Sequence, residues 1–235
     1  MLTHHPSIEM LTDYAAGSLT LPHAMCIATH VELCPDCQQQ VNKLELLGGQ
    51  LLTDEKQEQR SLEGLKNALF ARLQEVPEKA PMTVGKNIQT TSQQAQHTNN
   101  LGYRVPRSLK QFVTQAYDDL TWMRLSPSFK IATLHNEKGG PQISLTRVKA
   151  GAHMPTHTHT GDEITLVLEG AFSDESGMYR KGDFVCRDAS HKHKPIVTKD
   201  AECICLTVLD APIEFTGWFT RLLNPLIRRH HPLSS

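Results

Sequence analysis

Three residues in one short stretch have the types and spacing to hold a metal ion. The segment HVELCPDC sets His30, Cys34 and Cys37 at positions i, i+4 and i+7, which fall on one face of a helix. A kink at Pro35 would still keep Cys37 near the other two. Two thiolates and an imidazole suit tetrahedral zinc, whose structural sites close with four protein ligands. Spacing alone leaves the fourth ligand open: His4 and His5 precede the first helix, and Cys26 lies one turn before His30. A buried histidine beside two incidental cysteines is the plainer alternative, but CxxC after a spaced histidine is the more specific pattern. A thioredoxin-like redox CxxC would need a βαβ pattern around it, and none surrounds this one.

A second constellation lies in the other half of the chain. Gly151, His157, His159, Glu163 and Gly170 fit the pattern G-x5-H-x-H-x3-E-x6-G without a gap. On a strand His157 and His159 point to the same face, and Glu163 returns after a turn at Thr160-Gly161-Asp162. This is the first motif of a cupin barrel. The second, G-x5-P-x-G-x2-H, starts at Gly182 and ends on His193, with Asp188 and Ser190 replacing its proline and inner glycine. His191 competes with His193, since both would share a face of a regular strand. Three imidazoles and a carboxylate suit zinc or another divalent transition metal such as manganese, iron or nickel. The alternative is a metal-free barrel that uses these residues as a polar lining.

Two kinds of element must position these sets. Residues 1–76 carry helical periodicity: Ile8 and Leu11, then Ala24, Ile27, Ala28 and Val31 after Pro22, then Val41, Leu44 and Leu47, ended by Gly48-Gly49. Pro35 closes one helix and opens the next. A last helix from about Ser61 aligns Leu62, Leu65, Leu69, Leu73 and Val76. Three or four short helices make a small core that benefits from a staple, and a structural zinc can supply about 10–16 kcal/mol. Phe70 widens the Leu62, Leu65, Leu69, Leu73 stripe, as suits a face buried only against a partner.

Between residues 77 and 100 the pattern collapses. From Asn87 to Asn100, 11 of 14 residues are Asn, Gln, Ser or Thr, which reads as a flexible linker. After it, one helical stretch (Ser108 to Asp118) precedes short runs rich in Ile, Val, Leu, Thr and Phe. They span Phe129–His135, Gln142–Val148, Glu163–Glu169, Asp183–Arg187 and Cys203–Leu209, as in a sandwich or small barrel. The expected fold is thus α+β and multidomain. A small zinc-binding helical domain at 1–76 is followed by a flexible polar linker at 77–100 and an all-β cupin barrel at 101–235.

Composition narrows the function. The formal net charge of −1 argues against a nucleic-acid binder that works through a basic surface. No apolar run reaches the roughly 18 residues of a membrane span, and the start MLTHHPSIEMLTDY lacks the basic and apolar regions of a secretory signal, so a cytoplasmic protein is expected. In that compartment six cysteines point to metal or redox chemistry before disulfides. Cys203 and Cys205 share one strand face and with Cys186 could form an oxidisable cluster, although small core residues are the commoner reading.

With both constellations on one chain, the sequence resembles the ChrR family of zinc-binding anti-sigma factors over nearly its full length. The stretches that carry the resemblance are DYAAGSL, ATHVELCPDC, HTHTGDEITLVLEGAF, HKHKPI and ECICLTVLDAP. It implies an N-terminal domain that binds an extracytoplasmic-function sigma factor and blocks its access to core RNA polymerase. It also implies a barrel needed for release under singlet oxygen or related oxidants, and no enzymatic activity. By position it places the first site on His5, His30, Cys34 and Cys37, and the second on His157, His159, Glu163 and His193. The rival is a cupin metalloenzyme, dioxygenase- or isomerase-like, with an accessory zinc-binding domain.

Overall fold

The computed structural model describes residues 2–54, 62–74, 102–136, 139–218 and 220–225. The stretch expected as a linker, 77–100, and Val76 lie outside them. The chain divides into two compact units, Met1–Leu46 with His97–Ser235, and Leu47–Gln96.

Helix α1 (Ile8–Ala15) starts where Ser7 caps it, its hydroxyl accepting from the Met10 amide. Helix α2 (Leu21–Leu33) carries Pro22 in its first turn, where a missing amide hydrogen costs nothing. Cys34 then leaves the helical region with φ −119°, and Pro35 opens α3 (Pro35–Asp54), as the sequence predicts. Gly48 and Gly49 do not end α3, contrary to expectation. Each costs about 1 kcal/mol relative to alanine, which Leu46, Leu47, Leu51 and Leu52 around them, all good helix formers, help to offset. The described part of the second unit is helical: the end of α3, and α4 (Leu62–Gln74).

The stretch from Ser108 to Asp118, expected as a helix, forms two 3-10 turns instead, Arg107–Leu109 and Tyr117–Asp119. Leu109, Val113 and Tyr117 all turn into the core, the i, i+4, i+8 spacing that reads as helix in the sequence, although the chain between the two turns is not helical. Glu32 on α2 accepts from the Arg107 and Ser108 amides at 2.9 and 3.2 Å and ties this segment down.

Among the described residues, twelve strands follow in antiparallel sheets. The largest has the order β1 (Met123–Ser126), β2 (Phe129–Asn136), β3 (Gln142–Val148), β11 (Cys203–Leu209), β5 (Glu163–Glu169), β8 (Phe184–Arg187). A second joins β10 (Ile196–Val197), β6 (Ala171–Asp174) and β7 (Gly177–Arg180). A third joins β12 (Glu214–Phe215), β4 (His157–Thr158) and β9 (Lys192–His193). A 3-10 turn at Thr220–Leu223 follows β12.

The large sheet is buried on both faces. Outward residues Ile143, Leu145, Ile164, Leu166, Ile204 and Leu206 share one core with Leu11, Met25 and Ile27 of α1 and α2 and with Leu109 and Tyr117. Inward residues Phe129, Val148, Val167, Cys203 and Cys205 pack with Phe172 and Val197 of the second sheet. At about 1.5–3 kcal/mol per fully buried aliphatic side chain, both faces are strong contributors. Gly170 closes the β5–β6 turn at φ +73°, and any Cβ there would lie 2.1 Å from the Glu202 carbonyl oxygen.

Candidate metal centres

The first cluster assembles on the α2–α3 junction. His30 lies in the last turn of α2, Cys34 at the break and Cys37 in the first turn of α3, so the kink at Pro35 folds both thiols toward the ring. His30 Nε2 is 3.3 Å from Cys37 Sγ, and His5 Nδ1 is 3.4 Å from both Cys34 Sγ and Cys37 Sγ. One ligand atom from each of His5, His30, Cys34 and Cys37 lies within 4.8 Å of the others, a set that could hold a metal ion. His4 points elsewhere: it packs against Tyr179 with ring centroids 4.7 Å apart and planes tilted by 59°, and its Nδ1 lies 3.6 Å from Asp183 Oδ2. Cys26 is fully buried outside the cluster, and burial pushes its thiol up.

Both rings are set by main-chain carbonyls, which can only accept. His30 donates from Nδ1 to Gly182 O at 2.9 Å, and His5 from Nε2 to Leu2 O at 3.2 Å. Their other nitrogens, the ones that face the thiols, carry the lone pairs when the rings are neutral. Burial holds His30 down at about 4, hence neutral, despite the bond to Gly182. Burial and the neighbouring Cys34 push the Cys37 thiol up to about 12, a penalty that a divalent cation between the donors would reverse.

The second cluster sits inside the barrel. Strands β4 and β9 pair His157 directly with His193, and the Nε2 atoms of the two rings are 3.0 Å apart. His159, just beyond β4, brings its Nε2 to 3.3 Å from His193 Nε2. His157 Nδ1 donates to Pro155 O at 3.0 Å, and His193 Nδ1 is 2.9 Å from Asp174 Oδ2. Burial holds His157 down at about 4, partly opposed by Glu163. Two ring nitrogens that close must share a proton or a cation, so three converging Nε2 atoms fit a divalent metal. Glu163, expected as a fourth ligand, stands one step outside. Its Oε2 is 2.9 Å from His159 Nδ1 without hydrogen-bond alignment, and its Oε1 accepts from Thr165 at 2.7 Å. Burial opposes its charge, yet His159, His157 and the Thr165 hydroxyl together outweigh that and hold the carboxyl at about 2. His191 is half-buried and bound to Asp188 at 2.8 Å, away from the cluster.

Sequence reasoning missed the groups behind these ligands. Asp174, at the β6–β7 turn, is held ionised: burial opposes it, but His193 and Arg187 prevail, Arg187 Nη2 standing 3.1 Å away. Nothing in the local sequence marks it. The Gly182 and Leu2 carbonyls leave no side-chain signal at all. Cys203 and Cys205 do share an inward face, with Sγ atoms 3.5 Å apart. Their bond to each other, then burial, push Cys205 up. Cys186 is not with them: it is exposed on β8, 3.9 Å from Met10 Sδ. Of the expected partner-binding stripe, Leu69 and Phe70 are 58% and 53% exposed, while the side chains of Leu62, Leu65 and Leu73 lie outside the described ones. Leu47 and Leu51 on α3 are exposed as well. Among the described residues no helix is long and apolar enough to cross a membrane.

Three comparisons bear on these centres. Residues 110–211 match the model of the ChrR cupin-like domain. The anti-sigma-E factor ChrR of Cereibacter sphaeroides is 31% identical over 229 residues, 97% of this chain and 99% of that protein. A chain in the crystal structure of Rhodobacter sphaeroides SigE in complex with the anti-sigma ChrR superposes with a TM-score of 0.69 at 28% identity. That match covers 89% of this chain and 100% of that one.

Proposed function

Because the chain belongs to the ChrR family, we propose that it is an anti-sigma factor that sequesters an extracytoplasmic-function sigma factor and releases it on an oxidative signal, singlet oxygen or a peroxide, received at the barrel. It regulates transcription and catalyses no reaction. The observation that carries this is the match to an anti-sigma factor across 97% of the chain, spanning both clusters.

Residues 1–76 are the gripping part and residues 101–235 the sensing part, with 77–100 as the link between them. His5, His30, Cys34 and Cys37 would hold a structural zinc: two thiols with two imidazoles make a closed tetrahedral donor set. His157, His159 and His193, with Glu163 beside them, would hold zinc or another divalent transition metal that supplies a Lewis-acidic or redox-active centre. The exposed apolar residues Leu69 and Phe70, with Leu62, Leu65 and Leu73 on the same helix, would face the sigma factor. A buried stripe there would leave no reason for such residues to stand in water.

The test is co-expression with candidate extracytoplasmic-function sigma factors, followed by affinity capture and light scattering. A one-to-one complex with one of them is expected. No complex with any sigma factor of the source cell, from a metal-loaded and folded chain, would overturn the assignment.

A further inference from the structure

A run of side-chain contacts joins the two clusters, and its middle members belong to neither donor set. At the barrel end, His193 Nδ1 donates to Asp174 Oδ2 at 2.9 Å, and the Ser176 amide holds the other carboxylate oxygen, Oδ1, at 2.9 Å. Arg187 Nη2 donates to the same Oδ2 at 3.1 Å and to the Tyr179 hydroxyl at 2.6 Å. The guanidinium carbon also lies 5.5 Å from the centre of the Tyr179 ring. That ring packs against His4, and the next residue, His5, is a donor of the first cluster.

These contacts are out of water, which makes them stiff. Asp174 and Arg187 side chains are 1% and 12% exposed, and Tyr179 is 2% exposed. Leaving a buried guanidinium unpaired is costly, so a shift of Asp174 draws Arg187 with it, and Arg187 draws the Tyr179 hydroxyl. Tyr179 on β7 and Arg187 on β8 also flank the turn that holds the first cluster. Its Gly182 carbonyl orients His30, and its Asp183 carboxylate accepts from the Thr3 and His4 amides. With Nε2 engaged by a metal, the His193 ring keeps one orientation and its Nδ1 hydrogen becomes a stronger donor to Asp174.

We propose that Arg187 and Tyr179 are positioning residues that couple the two centres, so that a loaded barrel holds the Thr3–His5 segment, and with it the first cluster, in place. Coupling of this kind is reciprocal, and loss of the barrel centre loosens that segment. Its bearing on release of the sigma factor rests on the sensor reading above. The coupling itself is read from the chain alone, so either can fail without the other.

The test is amide hydrogen exchange, followed by NMR on the full chain in excess zinc, which keeps the cysteine-containing site filled. Wild type, His159→Ala, Tyr179→Phe and the double variant form a cycle that isolates the interaction. Tyr179→Phe keeps the ring against His4 and removes only the hydroxyl that Arg187 holds. His159→Ala should speed exchange of the Thr3 and His4 amides about fivefold in the wild-type background, and less than about twofold once Tyr179 is Phe. Should Tyr179→Phe fail to fold, Arg187→Lys takes its place, since it keeps a cation for Asp174 and loses the planar fork. Unchanged exchange in His159→Ala, the same acceleration with and without the Tyr179 hydroxyl, or an equal acceleration at the Leu206 amide of β11 would each overturn the proposal.

Discussion

His30 donates its Nδ1 hydrogen to the main-chain oxygen of Gly182, 2.9 Å away, so a ligand-bearing ring on a helix takes its orientation from a turn of the barrel. The same turn holds the N-terminal strand of chain. Phe184 N donates to His4 O at 3.0 Å, and Asp183 Oδ1 accepts from the Thr3 and His4 amides at 3.1 and 3.2 Å. His5 follows directly. Both histidines of the first cluster are therefore placed by residues 182–184.

Gly182 itself should be sensitive. It has φ +93°, and a Cβ there would come within 2.7 Å of Leu2 Cδ2. Gly182→Ala should displace both its own carbonyl and Leu2, whose oxygen orients His5. Loss of such supporting bonds typically weakens a metal about 10–100-fold. Competition with a chromophoric chelator measures this, and unchanged zinc affinity would show that the carbonyl does not position His30.

Removing a thiolate should act on the helices. Cys34→Ser or Cys37→Ser is expected to lower bound zinc by one equivalent per chain and to reduce the helical signal on heating at a lower temperature than wild type. Metal analysis and circular dichroism check both on the same sample. Full zinc content in either variant would place the zinc elsewhere.

How much of this was legible beforehand follows from what each feature is made of. Periodicity placed Gln142–Val148, Glu163–Glu169 and Cys203–Leu209 on their observed bounds, because Ile, Leu and Val recur there at strand spacing between polar or glycine-rich turns. It failed for the hairpin of β6 and β7, whose residues are short and mixed, and for Ser108–Asp118, where the core chose turns over a helix. Side-chain donors with fixed spacing were readable: His157, His159 and His193 converge as their motif implies. Glu163 Oε2 stands 2.9 Å from His159 Nδ1, and spacing cannot say whether a carboxylate faces the metal or the ring that binds it. Asp174, 19 residues from His193, and the carbonyls of Leu2 and Gly182 became visible only through the fold.

Asp174 offers a selective test. It orients His193 through Nδ1, so Asp174→Asn should weaken metal at the barrel about 10–100-fold and leave the cysteine-containing cluster loaded. Cobalt substitution separates the two sites, since only the thiolate site gives intense charge-transfer bands. Equal loss at both sites would mean that the variant damages the fold rather than the barrel cluster.

The metal-free protein should be sensitive to acid. Burial holds His30 and His157 down at about 4, whereas an unfolded imidazole titrates near 6.5. Their folded values are depressed, so the stability they permit is complete above about pH 6.5 and is lost as pH falls toward about 4. The loss should reach up to about 3 kcal/mol per ring, read from urea midpoints across that window. A flat midpoint from pH 7 to 4 would mean that these rings are not buried neutral.

The central claim is that the chain grips a sigma factor with its helices and reads a signal with its barrel. It is tested most directly by a reporter driven by that sigma factor, in cells carrying wild type or His159→Ala, with and without singlet oxygen. His159 is a barrel donor remote in sequence from the gripping helices, and a signal can release the sigma factor only by favouring the free state over the bound one. The expected result is full repression by both proteins in the dark and induction in wild type alone. Normal induction in a His159→Ala protein that has lost the barrel metal would contradict it.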